Sequence, residues 1–324
     1  MAITSKNGKY LTLENVRVFY DKDSDQIIIT SKDPDIPADS KGFKISVNGY
    51  NETGSTLRQM LGERGMIPDY NKDLSPEYVT HSELPKNYPW HTIPLGKTTD
   101  TDITEWDTQK SPNMFIIGKA GSGKSNMVYN ILEHCLAYPQ NWEVAVFDPI
   151  FGDRYGENFP GISEVGLNHF GIHAGLLYYM NELQKREKSP SSIDKKILLV
   201  IEGLASLFEE AFTVAEPAKE VMEARQRTKE IGEFLMELAK RGKSAGIHLV
   251  VTAQRVDNNP PLPSGVFLPY FDAKMVCENY DSIGYRIFTD APRPLFMKPR
   301  RGKSYLIDNN GNRTFQAARY EFRA

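Results

Sequence analysis

The sequence predicts an α/β protein with a mostly parallel sheet, preceded by a small β-rich domain. Two observations support this class. From about residue 91 onward, continuous apolar runs alternate with helical stretches, as expected of parallel strands that are buried on both faces. Residues 1–90 instead contain short strand-like runs joined by polar turns, a pattern typical of hairpins. We therefore expect a small N-terminal domain at residues 1–90 and a larger α/β domain at residues 91–324.

The composition is that of a soluble globular protein. The chain has 324 residues, of which 40% are hydrophobic and 25% charged, and its net charge is −3. It contains no apolar run near the roughly 20 residues that span a bilayer and no apolar leader segment, so we expect a cytoplasmic protein without membrane contact. Cys135 and Cys277 fall in apolar segments and are expected to be buried thiols. Because the balance is slightly acidic, any DNA contact must come from local basic clusters.

The N-terminal domain is predicted to be α+β. Residues 15–20 and 26–30 are predicted to pair as a hairpin across a polar turn, and residues 42–47 to add a third strand. Residues 55–62 have the apolar spacing of a short helix. No pattern in this domain indicates chemistry, so its role is not predicted.

The larger domain is predicted to contain five buried strands and one long helix. The strands are residues 114–117, 144–147, 197–201, 249–252 and 273–277. The long helix begins at Pro217 and ends at Arg241 or Lys243, because apolar residues recur between them at intervals of three and four. A shorter helix is predicted at residues 126–137.

The first of these strands runs directly into a glycine-rich phosphate loop. The loop has the spacing of a Walker A motif, in which glycines let backbone N–H groups point at phosphate oxygens. Lys124 would reach the β- and γ-phosphates, and the Ser125 hydroxyl would ligate Mg²⁺. The helix that follows would place the phosphates at a helix N-terminus. The residues predicted to hold the nucleotide are Gly118, Lys119, Ala120, Gly121, Ser122, Gly123, Lys124 and Ser125.

Two other predicted strands end in residues that suit the same site. The strand at 197–201 ends in Glu202, which is predicted to hold Mg²⁺ through water as a Walker B acid. The strand at 249–252 leads to Gln254, which would sense the γ-phosphate or orient the attacking water. A strand ending in an acid and a polar strand cap are each common by themselves, so both assignments depend on the phosphate loop.

As a set, four segments resemble the motor domain of FtsK/SpoIIIE-type DNA translocases, in the FtsK–HerA group of P-loop ATPases. The resemblance covers roughly residues 91–320 and none of the first 90. The segments are residues 93–97 leading to 111–118, residues 146–149, residues 198–207 and residues 239–255.

The resemblance implies a RecA-like fold, a homo-oligomer in the form of a hexameric ring, and double-stranded DNA passing through that ring. It also implies ATP hydrolysis with Mg²⁺ at subunit interfaces. Lys124, Glu202 and Gln254 match catalytic positions of the family, and Ser125 and Glu202 match its metal-binding positions. Asp148 matches the family's Asp-Pro segment.

In this group an arginine from the neighbouring subunit usually completes the site. Lys274 falls near one such position and Arg286 near another, and the sequence does not decide between them.

One departure from the family concerns the residue after Glu202. The family has Asp-Glu there, a metal ligand followed by a catalytic base, whereas this chain has Glu202-Gly203. Glycine cannot polarise water. Either Glu202 performs both tasks, a nearby acid such as Glu209 or Glu210 contributes, or hydrolysis is slow, since general-base help is worth about 10²–10⁴-fold.

Two basic clusters are candidates for DNA contact. In a hexamer a modest patch is repeated at each subunit, so the acidity of the monomer does not exclude DNA. A solvated helix face or a surface loop would give the same pattern. The candidate contacts are Arg225, Arg227, Arg241 and Lys243 on or just after the long helix, and Arg300 and Arg301 near the C-terminus.

The function predicted first is therefore an ATP-driven ring motor that translocates double-stranded DNA, a compact soluble member from a mobile element or phage. A protein-export ATPase of the type VII secretion kind is one alternative, because those enzymes share the fold. A nucleotide-binding ring subunit with weak hydrolysis is another, favoured by Gly203.

Overall fold

The computed structural model describes residues 75–150, 153–166, 168–190, 193–209, 218–254, 264–277 and 302–321, together with the backbone of five strands among the first 45 residues. Contacts along the chain define a smaller unit that holds residues 1–73 and a larger one that begins at residue 74. Thr80 bridges to Arg319, and the His81 N–H donates to the Arg319 carbonyl at 2.8 Å. The described residues before 91 therefore pack with the larger unit.

The smaller unit contains two antiparallel sheets. Its strands are β1 (Ile3–Thr4), β2 (Tyr10–Leu11), β3 (Val16–Asp21), β4 (Gln26–Ser31) and β5 (Gly42–Ile45). β1 pairs with β2, and β3, β4 and β5 form a three-stranded sheet in that order. The predicted hairpin and third strand are confirmed. The helix predicted at residues 55–62 lies outside the described residues.

The larger unit is built on one sheet flanked by helices. Its strands are β6 (Thr92–Lys97), β7 (Ile103–Asp107), β8 (Met114–Ile117), β9 (Trp142–Phe147), β10 (Glu164–Gly166), β11 (Lys196–Ile201), β12 (Ile247–Ala253), β13 (Ala273–Cys277), β14 (Lys303–Asp308) and β15 (Gly311–Ala317). The helices are α1 (Lys124–Leu136), α2 (Asp153–Asn158), α3 (His169–Lys188), α4 (Ser206–Glu209), α5 (Ala218–Arg241) and α6 (Ser264–Phe267). Short 3₁₀ turns occupy His81–Glu83, Gly242–Ala245 and Leu268–Tyr270. None of the helices in the described part of the chain is long and apolar enough to cross a bilayer.

The sheet has the order β10-β9-β11-β12-β8-β13-β14-β15-β6-β7. The six strands from β10 to β13 are parallel to one another, and the other four are added antiparallel. The five strands predicted from apolar runs form most of the parallel part, so the α/β class with a mostly parallel sheet is confirmed. Because the strands are parallel, the C-terminal ends of β8, β9, β11 and β12 all lie on the same side of the sheet. We call this side the phosphate-loop edge.

Both faces of the parallel strands are buried, which explains their continuous apolar sequences. In β11, Leu199 and Ile201 face the cluster that contains α3 and α5 residues, while Leu198 and Val200 face the cluster that contains α1. From α5, Ile231 and Leu235 join the first cluster. Burying each such side chain contributes about 1.5–3 kcal/mol, so these two layers hold the ends of β8, β9 and β11 in fixed positions.

Candidate nucleotide-binding site

The phosphate loop connects the end of β8 to the start of α1, and its glycines are required by geometry. Gly121 and Gly123 have φ values of 77° and 100°, in the left-handed region that favours glycine. A Cβ at Gly118 would lie 2.4 Å from the Ser122 hydroxyl and 2.8 Å from the Cys277 carbonyl oxygen. The loop therefore holds its backbone in the curled form that presents N–H groups to an anion at a helix N-terminus.

Lys124 spans the loop from the first turn of α1. Its Nζ donates hydrogen bonds to the carbonyl oxygens of Gly118 at 2.8 Å and Lys119 at 2.9 Å. Burial lowers the pKa of Lys124 from its ordinary value, while the acidic groups of Cys277 and Glu202 oppose that shift. The ammonium group thus lies across the loop, where the charge of Glu202 acts on it.

Ser125 and Glu202 are brought together, as the sequence predicts. The Ser125 hydroxyl donates a hydrogen bond to Oε1 of Glu202, which directly follows β11. Glu202 is 7% exposed. Its burial raises the pKa of the carboxyl to about 7; the Ser125 hydrogen bond opposes this shift and the charge of Asp148 adds to it.

The donor set at this position fits Mg²⁺. Oε2 of Glu202 is buried and has no hydrogen-bond partner among the described residues, although a buried carboxylate oxygen normally has one. A hydroxyl and a carboxylate are the hard oxygen ligands that Mg²⁺ prefers, and Mg²⁺ usually takes its other ligands from phosphates and water. Ser125 and Glu202 are therefore the residues that would hold the ion.

Asp148 directly follows β9 and is a second buried acid beside Glu202. β9 and β11 are parallel neighbours in which Phe147 is opposite Ile201, so Asp148 and Glu202 are the next residues on adjacent strands. The Glu202 N–H donates to the Phe147 carbonyl at 3.0 Å. Asp148 is 2% exposed, and its Oδ1 accepts from the Ile150 N–H at 2.8 Å. The sequence matched Asp148 to a family segment without assigning it a role; its proximity to Glu202 depends on strand order.

Gly203 occupies the position at which the sequence analysis found an acid missing. Its φ is 68°, and its N–H donates to the Thr252 hydroxyl at 2.9 Å. A Cβ there would meet nothing closer than the Ser206 hydroxyl, at 3.6 Å. There is thus room for a side chain but a backbone conformation that side chains rarely adopt. The alternatives Glu209 and Glu210 are not decided, because their side chains lie outside the described part of the structure.

Gln254 follows the last residue of β12 and is exposed. β12 lies between β11 and β8, so Gln254 leaves the sheet between the strand that ends at Glu202 and the strand that enters the phosphate loop. The Gly118 N–H donates to the carbonyl of Ala253 at 3.2 Å, which joins this strand end to the loop. The structure thus brings Gln254 to the edge where Lys124 and Glu202 lie.

Of the two predicted trans cations, Lys274 is described by the structure and lies away from this edge. Lys274 is the second residue of β13 and is paired with Phe115 near the start of β8, at the opposite edge of the sheet from the phosphate loop. Arg286 lies outside the described residues. A cation that the sequence analysis missed is Arg154 in α2, which hydrogen-bonds the Tyr129 side chain and lowers the pKa of Glu202. No local motif indicated Arg154, because its approach to the site depends on the path of the chain after β9.

The candidate DNA contacts fall into two groups. Arg241 bonds Glu187 at 2.9 Å and Glu237 at 3.0 Å, and Lys243 lies 3.4 Å from Asp272. Arg241 and Lys243 lie at or just after the end of α5, shortly before β12 begins. They are therefore on the side of the sheet opposite the phosphate loop.

The other described candidates lie nearer the phosphate-loop edge. Arg225 is exposed. The Arg227 guanidinium stacks over the ring of Phe170, 4.0 Å from its centroid. Arg300 and Arg301 lie outside the described residues.

Comparisons with known proteins agree with the resemblance seen in the sequence. The DNA translocase FtsK of Corynebacterium efficiens is 28% identical over 183 residues, which cover 50% of this chain and 19% of that protein. The DNA translocase FtsK of Caldanaerobacter subterraneus is 26% identical over 183 residues, covering 50% of this chain and 24% of that protein. The chain thus spans about a fifth to a quarter of the length of these curated relatives. No family model matches.

Solved structures share the fold. The pCW3 conjugation coupling protein TcpA, a monomer form with ATPγS, has a TM-score of 0.64 at 18% identity, covering 94% of this chain and 89% of that one. The cytoplasmic domain of the type VII secretion ATPase EccC of Thermomonospora curvata has a TM-score of 0.57 at 16% identity, covering 74% of this chain and 31% of that one. EssC (ATPases 2 and 3) of Geobacillus thermodenitrificans has a TM-score of 0.56 at 18% identity, covering 75% and 47%. These likenesses confirm the RecA-like P-loop ATPase fold, and together with the curated relatives they confirm the resemblance to the FtsK–HerA group.

Proposed function

We propose that this chain is the subunit of an ATP-driven motor that translocates double-stranded DNA. The observation that carries the proposal is the hydrogen bond between Ser125, in the phosphate loop, and the buried carboxylate of Glu202. It lies in a chain whose curated relatives are DNA translocases. Ser125 and Glu202 are 77 residues apart in the sequence and are joined by this bond. The fold around them is that of P-loop ATPases.

In the proposed reaction the phosphate loop binds the triphosphate of ATP. Backbone N–H groups of the loop receive the phosphate oxygens at the start of α1. Lys124 turns its ammonium from the loop carbonyls to the β- and γ-phosphates, where its charge is better matched. Bound between Ser125 and Glu202, Mg²⁺ would neutralise charge that builds up on the phosphates. Gln254 would contact the γ-phosphate and so link the state of the nucleotide to β12.

The proposal assigns DNA contact first to the start of α5. α3 and α5 run side by side, with His173 bonded to Glu230 at 2.6 Å and Arg227 stacked on Phe170. Because both contacts join residues that are 57 positions apart, the first residue of α3 is level with residue 226 of α5. The first eight residues of α5, about 12 Å of helix, therefore extend beyond the start of α3. Arg225 lies on this projecting part, at the phosphate-loop edge.

The cations at the other end of α5 are weaker candidates. Arg241 and Lys243 already face carboxylates of their own subunit, so a phosphate would have to displace an existing partner.

A ring completes the proposal. Lys274 is too far along β13 from its own phosphate loop to act there, so a catalytic role for Lys274 would require contact with a neighbour's nucleotide. Arg286 is the alternative donor. A hexamer in which each site lies between two subunits would couple hydrolysis to movement along DNA.

Protein export is a second candidate function, favoured by the structural likeness to EccC and EssC. The curated relatives, at 28% and 26% identity, are DNA translocases, which is why we rank DNA first. The two candidates differ in what stimulates ATP turnover.

The experiment that tests the proposal is steady-state ATP hydrolysis with and without linear duplex DNA at fixed salt. We expect Mg²⁺-dependent hydrolysis that duplex DNA stimulates, and a loss of this activity in Lys124→Ala. Single-stranded DNA of the same length and sequence is the control for strand form. Hydrolysis that does not respond to duplex DNA at any salt concentration would contradict the DNA proposal and favour the export alternative.

A further inference from the structure

The position after Glu202 is not built to carry an acid. Gly203 has a left-handed backbone, and its N–H is bonded to the Thr252 hydroxyl. The next N–H, of Leu204, donates to the Thr252 carbonyl at 2.9 Å. These bonds to the end of β12 hold the turn in its present form. A residue elsewhere in the fold must therefore position water if the site hydrolyses ATP.

Glu202 is already engaged on the metal side of the site. Its Oε1 accepts from the Ser125 hydroxyl, and Ser125 is the residue of the phosphate loop that would bind Mg²⁺. Its other oxygen is buried and unpartnered among the described residues. Both oxygens thus suit a cation, and a carboxylate that ligates a cation is a poor acceptor for a water proton.

Asp148 is the carboxylate nearest to that arrangement in the sheet. It and Glu202 leave adjacent parallel strands at the same level, so their side chains project toward the same side. Among described residues, Asp148 is the carboxylate whose charge acts on Glu202. It is 2% exposed, and the Ile150 N–H fixes the orientation of its Oδ1. A buried, oriented carboxylate is preorganised for binding a single water.

We propose that Asp148 is a catalytic residue, which accepts a hydrogen bond from the attacking water and orients it toward the γ-phosphate. The inference rests on the proposed ATPase function. In this step the water oxygen forms a bond to the γ-phosphorus, and the bond from phosphorus to the β,γ-bridging oxygen breaks. The bridging oxygen keeps the electron pair and leaves as ADP. Both protons of the water stay with the inorganic phosphate that is formed. Glu202 holds the cation, and Asp148 replaces the acid that is absent at Gly203.

The test compares Asp148→Asn with wild type in two measurements on the full chain. One is the affinity for MgATP, followed with a fluorescent ATP analogue, and the other is phosphate release in a single turnover. Asparagine keeps the shape and can still accept from the Ile150 N–H. We expect nucleotide affinity to stay within about threefold and the single-turnover rate to fall by about 10²–10⁴-fold.

Asp107→Asn is the matched control. Asp107 also ends a strand, and its Oδ1 accepts a hydrogen bond from the backbone N–H of Gln109 at 2.9 Å. It lies on β7, the outermost strand of the sheet, far from β9 and β11. We expect this variant to hydrolyse ATP like wild type.

Thermal unfolding separates catalysis from a structural role. A role for Asp148 in folding alone would lower the melting temperature of Asp148→Asn together with its rate, whereas we expect a melting temperature close to that of wild type. If Asp148→Asn does not fold, Asp148→Glu, which keeps the charge, should fold and retain hydrolysis well above that of Lys124→Ala.

Three outcomes would overturn the inference. Asp148→Asn could hydrolyse at the wild-type rate. It could lose MgATP affinity in proportion to rate, which would assign Asp148 to the metal. Gln254→Ala could abolish the chemical step while Asp148→Asn does not, which would assign the water to Gln254.

The outcomes for the broader proposal are separate. Hydrolysis that depends on Asp148 but is indifferent to DNA removes only the DNA proposal. A wild-type chain that binds but does not hydrolyse ATP removes both.

Discussion

Single residues decide the chemistry at the phosphate-loop edge. Lys124, Ser125 and Glu202 were identified from motifs, because each follows a strand or a glycine pattern that local sequence reveals. Asp148 and Arg154 are close to the same site only because β9 is the neighbour of β11, and strand order is a property of the folded chain. Sequence therefore identified the phosphate loop and Glu202 but not which acid lies beside Glu202.

The first residue-scale prediction concerns Lys124. Lys124→Ala removes the charge that would bind the β- and γ-phosphates, and its present hydrogen bonds are to two carbonyls of the loop. We expect loss of ATP binding or turnover, with a melting temperature close to wild type. Equilibrium binding of a fluorescent ATP analogue measures the first effect, and unchanged affinity would contradict the assignment.

The second residue-scale prediction concerns the turn after Glu202. Because φ of Gly203 is 68°, Gly203→Ala should lower the free energy of unfolding by about 1–2 kcal/mol. Gly156→Ala is the control. Gly156 lies inside α2, where an added Cβ meets no atom within 4 Å, so that change should raise stability by about 0.5–1 kcal/mol. Urea unfolding of both variants checks the two signs, and equal effects would mean that the turn is not strained.

At the scale of elements, five of the six parallel strands were predictable, whereas β10 and the antiparallel strands were not. β8, β9, β11, β12 and β13 are buried on both faces, so most of their residues are apolar. In β7 only Thr104 and Trp106 of five residues are buried, and β15 begins with exposed polar residues. β6 contains Pro94 and is irregular between Pro94 and Gly96. Short runs with mixed polarity resemble loops, so the extension of the sheet by four antiparallel strands was missed.

The element-scale prediction tests the packing of α5. Leu235 is fully buried in the cluster between α5 and the sheet, and Leu235→Ala should destabilise the protein by about 2–5 kcal/mol. On the same helix, Met222 is 70% exposed, and Met222→Ala should change stability by less than about 0.5 kcal/mol. Thermal or urea unfolding compares the two. A large effect at Met222 in the absence of DNA and nucleotide would show that this face is covered in the free protein.

For the whole molecule, the RecA-like fold was predictable because the phosphate loop and its flanking elements specify a known arrangement of strands. The assembly was not, since it depends on surfaces that meet only between subunits. The resemblance to FtsK-type motors implies a shared site, and Lys274 lies at the edge of the sheet away from its own loop. A ring remains a prediction that rests on this resemblance.

A mixing experiment tests the shared site. We expect oligomers, most simply hexamers, in the presence of an ATP analogue or duplex DNA. Adding Lys124→Ala subunits to wild type should then reduce hydrolysis more than in proportion to their fraction. Sedimentation measures the oligomer, and strictly proportional activity with monomers throughout would rule out a site between subunits.

Movement along duplex DNA is the central claim, and displacement of a triplex-forming strand measures it most directly. A third strand is annealed near one end of a linear duplex, and its release is followed by fluorescence with MgATP present. We predict that wild type releases the strand with ATP but not with a non-hydrolysable analogue, after a lag that grows with the length of duplex before the triplex, and that Lys124→Ala releases none. DNA-stimulated ATP hydrolysis with no release at any duplex length would contradict the claim that this chain is a translocase.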